Sequence, residues 1–274
     1  MIKSYKFKAE NNFFQKTIHE FFNTLMFIYA KGNMDKRIEK YFEKSTHYFD
    51  GITHLIFPHT CLQCQVELSR FEKYICVFCW EKLQRTYFES YAEPSSMDKL
   101  FWGRLPLNET FSLYYFEKEK PIQEMLHALK YDFKASLGKY CGEKMGKVML
   151  QSEKYKDIQA LIPVPIHPKK RFTRGYNQSE LLAEGIAQIL NVPILLSVVQ
   201  KTSHNGSQTR RNRFLRWDNA MEQFSLMNEL LSYTHIAIVD DVVTTGATLE
   251  AMAQLLLSRH PNLRISLLSF AIAK

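Results

Sequence analysis

The stretch Ile236–Thr248 limits the possible folds of this chain more than any other. Four apolar residues, Ile236-Ala237-Ile238-Val239, run directly into Asp240-Asp241. Val242-Val243 and Thr244-Thr245-Gly246-Ala247-Thr248 follow, and then an apolar helical pattern of Leu249, Met252, Ala253, Leu256 and Leu257. A continuous apolar run of this length reads as a strand buried on both faces, the kind found in parallel sheets. Two carboxylates leaving such a strand are costly to desolvate unless hydroxyls or cations meet them. The threonines and glycine then open a helix, whose first-turn N–H groups and dipole favour an anion. Carboxylates a few residues from a phosphate cradle suit a ribose 5-phosphate. The plainer alternative is a strand–turn–helix with Thr248 as N-cap and solvated acids.

Along the rest of the chain the same alternation of strand and helix recurs. Phe111–Phe116 reads as a strand and Ile122, Met125, Leu126 and Leu129 as one helix face. A second helix is expected at Ala135–Leu150, with Leu137, Cys141, Met145 and Val148 on a core face. Ala160–Val164 is a short strand, followed by a helix bearing Leu181, Leu182, Ile186, Ile189 and Leu190. Val192–Val199 reads as another strand and Arg264–Ala271 as the last. This order predicts an α/β fold with a doubly wound parallel sheet, whose ligands bind beyond the carboxyl ends of the strands. At 274 residues, 46% hydrophobic and 23% charged, the chain has room for that domain plus a small module.

The formal charge of +8 is concentrated. Residues 160–179 hold Lys169, Lys170, Arg171 and Arg174 without an acid, and residues 201–216 hold Lys201, Arg210, Arg211, Arg213 and Arg216 without an acid. These are nine of the 36 basic residues; the other 27 face 28 acids. Both segments read as loops, either solvated faces or anion-binding surfaces.

Four of the five cysteines form Cys61-x2-Cys64 and Cys76-x2-Cys79. Such pairs can bring four thiolates to one tetrahedral Zn²⁺, leaving no open coordination position, so the site would be structural. Two disulfides or a redox pair are the alternatives. The ten-residue run Phe21–Ala30 is half the length of a membrane span. Glu10 and Glu20 precede any apolar run, unlike a secretory signal. The expectation is a cytoplasmic protein without membrane insertion, in which free thiols persist. Residues 1–47, with Phe21, Phe22, Leu25, Met26, Ile28 and Tyr29 near helical spacing, read as one or two helices of unassigned function. Residues 48–90 read as the four-cysteine zinc module and Ser90–Lys99 as a linker. Residues 100–274 read as the α/β domain.

Ile236–Leu249 resembles the signature with which type I phosphoribosyltransferases bind phosphoribosyl pyrophosphate (PRPP). More closely, the chain resembles the ComF family of phosphoribosyltransferase-like proteins, associated with natural competence and DNA uptake. The other marks of that resemblance are Leu55–Cys64, Cys76–Cys79, Leu129-Lys130-Tyr131, Pro163–Pro165 and Arg174-Gly175-Tyr176-Asn177-Gln178. It covers roughly residues 48–274. It implies that Asp240 and Asp241 hold the ribose hydroxyls, with Mg²⁺, and that Thr244, Thr245, Gly246 and Thr248 bind the 5-phosphate. It implies a pyrophosphate loop at His167, Lys169 and Lys170, and a catalytic lid in residues 201–216 in which Lys201 and Arg211 act. Transfer of phosphoribosyl to an unidentified nitrogenous acceptor would follow. A rival implication is a PRPP-site scaffold that binds single-stranded DNA, beside a competence helicase, through the basic segments and Phe71, Tyr74, Phe78 and Trp80. Arg174–Gln178 is either structural, with Gly175 turning and Asn177 capping, or a phosphate or acceptor contact.

Overall fold

A computed structural model describes residues 59–117, 121–131, 135–202, 224–228, 230 and 232–274. The helices expected in residues 1–47, the first part of the cysteine module and Arg211 lie outside the described residues. The chain divides between Val77 and Phe78 into two units. No helix of the described residues is long and apolar enough to cross a membrane.

In the first unit, residues 59–77 form a compact turn structure. Cys61 N–H donates to the Val66 carbonyl at 2.7 Å, Gln65 N–H to Cys61 at 3.0 Å and Leu62 N–H to Tyr74 at 2.9 Å. The division falls inside the short helix α1 (Val77–Glu81), which carries Cys79.

The second unit is built on a four-stranded parallel sheet. Its strands are β1 (Thr110–Phe116), β2 (Ala160–Pro163), β5 (His235–Val243) and β6 (Arg264–Ala273), in the order β1-β6-β5-β2. The apolar run found in the sequence is the heart of it: Ile236, Ala237, Ile238 and Val239 are all fully buried, so both faces of β5 are covered. One face packs Ile236, Ile238, Ile265 and Leu267 against Leu249, Met252 and Leu256 of α7 (Ala247–Arg259). The remaining helices are α2 (Ser96–Phe101), α3 (Pro121–Tyr131), α4 (Ala135–Leu150), α5 (Pro168–Arg174) and α6 (Gln178–Leu190). Helix α6 packs on β5, β2 and α4. Helices α4 and α6 approach at glycines: a Cβ on Gly142 would lie 2.1 Å from the Leu182 carbonyl oxygen, and one on Gly185 2.1 Å from that of Lys139.

Three expectations need correction. Ser90–Lys99 is not a plain linker. Ser95 caps α2 with a reciprocal bond to Asp98, and the helix drives Met97 and Phe101 into the core. The basic stretch after β2 is not all loop, because Pro168 at the first helical position and Gly175 at the end (φ 79°) delimit α5. Val192–Val199 is not a strand either. It touches β2 at one bridge, Ile194 to Leu161. Leu161 N–H bonds Pro193, and Leu195 N–H bonds the Leu161 carbonyl. The ladder's next donor would be Pro163, which has no N–H. The chain instead enters β3 (Val199–Lys201), antiparallel to β4 (Phe224–Leu226).

Candidate functional site

The carboxyl end of β5 carries Asp240 and Asp241, and the turn after it opens α7. Gly246 is the N-cap, at φ 75°, and a Cβ there would lie 2.6 Å from the Phe101 ring. Both the backbone and the space therefore require glycine. Thr244 and Thr245 are exposed and Thr248 is half-buried in the first turn. The Ala247 N–H donates to Thr245 Oγ1 at 3.4 Å. The turn thus offers hydroxyls and first-turn N–H groups beside two acids.

Asp240 Oδ1 accepts from the Ser179 hydroxyl at 3.1 Å and from the Asp241 N–H at 2.9 Å. Burial first, then the adjacent charge of Asp241, push its carboxyl up to about 7, against those hydrogen bonds and Lys130. Lys130, at the end of α3, brings its ammonium to 2.9 Å from Asp241 Oδ2, as an ion pair rather than an aligned hydrogen bond.

The Arg174–Gln178 motif acts as a frame for this site. Asn177 caps α6 by accepting from the Ser179 N–H, while its amide donates to the Val164 carbonyl at 2.9 Å. Tyr176 donates to the Leu129 carbonyl at 2.9 Å. The structural reading of that motif therefore has direct support, and it reaches the acids through Ser179. The sequence assigns no role to Ser179 or Lys130; the signal for Lys130 is the Leu129-Lys130-Tyr131 segment itself.

Of the other expected residues, His167 is the N-cap of α5, its Nδ1 accepting from the Lys169 N–H at 3.2 Å. Lys169 and Lys170 are exposed on α5, at the carboxyl end of β2, the strand next to β5. Lys201 ends β3, with its ammonium 5.4 Å from the centroid of the Phe224 ring. Burial, then the charge of Lys170, hold it below the usual lysine range, opposed by Asp240. Lys201 and Lys170 therefore share an electrostatic neighbourhood with Asp240.

The second candidate is a metal centre. The thiols of Cys61, Cys64, Cys76 and Cys79 all lie within 4.8 Å of one another. Sulfurs on one zinc ion stand about 3.8 Å apart at the usual bond length. Cys64 and Cys76 are 3.6 Å apart, too far for a disulfide, and all five cysteines are free thiols. Burial pushes the Cys61 thiol up, but N–H groups of Cys64, Cys76 and Gln63 outweigh it and bring it to about 7. The cluster can hold a metal ion. Cys141 is separate and fully buried in α4, where burial pushes its thiol far up. Among the knuckle aromatics, Phe71 and Phe78 are exposed, whereas Trp80 packs against Tyr114 and Tyr140.

Comparison with known proteins agrees with this geometry. Residues 177–272, from the α6 cap into β6, match the phosphoribosyl transferase domain family. Competence protein F of Haemophilus influenzae is 27% identical over 217 residues, 75% of this chain and 87% of the relative. DNA utilization protein YhgH of Escherichia coli K12 is 26% identical over 74% of this chain and 92% of its own length. Competence protein ComFC of Bacillus subtilis is 23% identical, covering 75% and 81%. With the four-cysteine cluster, the parallel sheet and the acid pair with its threonine turn all present, the chain carries a phosphoribosyl transferase domain and is similar over three quarters of its length to competence proteins of the ComF family.

Proposed function

We propose that the α/β domain binds PRPP at the end of β5 and transfers its phosphoribosyl group to a nitrogenous acceptor, in the cytoplasm. The observation that carries this reading is the succession Asp240, Asp241, Gly246 and the first turn of α7: two part-buried carboxylates beside a helix-opening phosphate cradle. Asp240 and Asp241 would accept from the ribose hydroxyls, and Thr244, Thr245, Gly246 and Thr248 would hold the 5-phosphate. The acids are hard oxygen donors that suit Mg²⁺, which would neutralise charge on the pyrophosphate. In the reaction the bond from C1 to pyrophosphate breaks with its electron pair leaving on oxygen. A bond from C1 to the acceptor nitrogen forms, and that nitrogen loses a proton. Lys169, Lys170, Lys201 and Arg211 would stabilise the growing negative charge. The cysteine cluster would hold a structural Zn²⁺, its donor set and spacing being those of a closed tetrahedral site.

A second reading, compatible with the first, is single-stranded DNA binding. One observation favours it: Phe172 is 92% exposed on α5, among Lys169, Lys170, Arg171 and Arg174. An exposed ring amid cations offers a base-stacking platform beside phosphate contacts. The name of the E. coli relative points the same way. Titrating the protein with PRPP·Mg²⁺ and with a single-stranded oligonucleotide, separately and in competition, tests both. Saturable PRPP binding supports the first reading, and its absence overturns it. Oligonucleotide binding that weakens on Phe172→Ala supports the second, and unchanged binding removes α5 from it.

A further inference from the structure

Successive side chains on a strand point to opposite faces. Asp240 and Asp241 are adjacent on β5, so two carboxylates that must serve one vicinal diol start out aimed apart. Each therefore needs a restraint. Asp240 has two, the Ser179 hydroxyl and the Asp241 N–H, both on Oδ1. For the Asp241 carboxylate, the described residues bring up Lys130, 2.9 Å from Oδ2. The two side chains are 26% and 13% exposed, so the pair is shielded from most of the water that weakens surface ion pairs. Lys130 is itself held from below. It follows Leu129, whose side chain is fully buried and whose carbonyl accepts from Tyr176, a residue of the loop that caps α6.

We propose that Lys130 is a positioning residue for ribose recognition: by pairing with Asp241 it fixes the second carboxylate where it can accept from the sugar hydroxyls and offsets the repulsion between the two acids. This rests on the ribose-site reading of Asp240 and Asp241. Lys130 then acts on the diol contact and not on the phosphate contact, which belongs to the turn at Gly246.

The test compares ribose 5-phosphate with 2-deoxyribose 5-phosphate, which share the phosphate and differ by one hydroxyl. Affinities are measured by calorimetry on the full chain, for wild type, Lys130→Met and Lys130→Arg. A hydrogen bond to a charged group predicts that wild type prefers the ribose form by about tenfold or more. Lys130→Met should bring that preference below about threefold while affinity for the deoxy sugar changes little. Lys130→Arg should recover part of it. A merely structural role would weaken both ligands alike. Should Lys130→Met fail to fold, Lys130→Gln, which keeps a donor without the charge, carries the same expectation. A wild-type preference preserved in the uncharged variant overturns the proposal, as does equal weakening of both sugars. If the wild-type protein does not distinguish the two sugars, the ribose-site reading itself fails and the role of Lys130 falls with it.

Discussion

The Ser179 hydroxyl, in the first turn of α6, donates to Asp240 Oδ1 at 3.1 Å from 61 residues away in the chain. It does so because Asn177 sets where α6 begins, and the amide of Asn177 is tied to Val164, the residue just after β2. The bond partly offsets a carboxyl that burial and the neighbouring Asp241 push up to about 7.

That shift has a signed consequence for stability. The native state keeps a proton that the unfolded chain, with a carboxyl near pH 4, has already lost, so this group's contribution to stability falls as pH rises from about 4 to about 7. Asp240→Asn removes the penalty, and its side-chain oxygen can still accept both hydrogen bonds. Thermal melts should therefore place the variant above wild type at pH 8, with the gap narrowing towards pH 5. A gap that widens on acidification contradicts this.

The cysteine cluster predicts one tightly held zinc per chain. Cys61→Ser should lose the metal and loosen residues 59–81, where N–H groups of Gln63, Cys64 and Cys76 converge on the Cys61 thiol, because metal binding is itself folding free energy there. Elemental analysis of reduced protein checks the first point and limited proteolysis the second. Wild-type protein without zinc would contradict it.

Helix α6 can frame the site only if it lies against α4. Gly142→Ala would put a methyl 2.1 Å from the Leu182 carbonyl oxygen, backbone that cannot step aside. Overpacking of this kind costs about 1–3 kcal/mol or more. A melting temperature lower by several degrees is expected, and an unchanged one would contradict the packing.

The parts legible in the sequence were those written in local pattern. The apolar run and acids of β5, the glycine turn at Gly246 and the face of α7 follow from residue order alone. So does the cysteine spacing, and the structure brings those four thiols together. The Lys130–Asp241 and Ser179–Asp240 contacts join elements distant in sequence, and no periodicity announces them. Val192–Val199 departs from a strand for a reason of pairing: its apolar composition suits one, but Pro163 of the neighbouring β2 offers it no further N–H. Ser90–Lys99 hides a helix because two of its polar residues, Ser95 and Asp98, form a capping box, and the buried Met97 and Phe101 of that helix reveal themselves only in the core.

Neutralising Lys201 and Arg211 tests the assignment of the basic residues. Both are expected to act as charge builds on the leaving group, so Lys201→Met with Arg211→Met should abolish turnover while reducing PRPP affinity only modestly. Full turnover together with a flatter salt dependence of DNA binding would assign them to nucleic acid instead.

The central claim is that the acid pair at the end of β5 is a ribose site, and PRPP titration of Asp240→Asn/Asp241→Asn in the presence of Mg²⁺ tests it most directly. The double variant should stay folded, since the acids lie at a strand end and repel one another, and should show no detectable PRPP binding. Wild-type affinity in a folded double variant would contradict the claim.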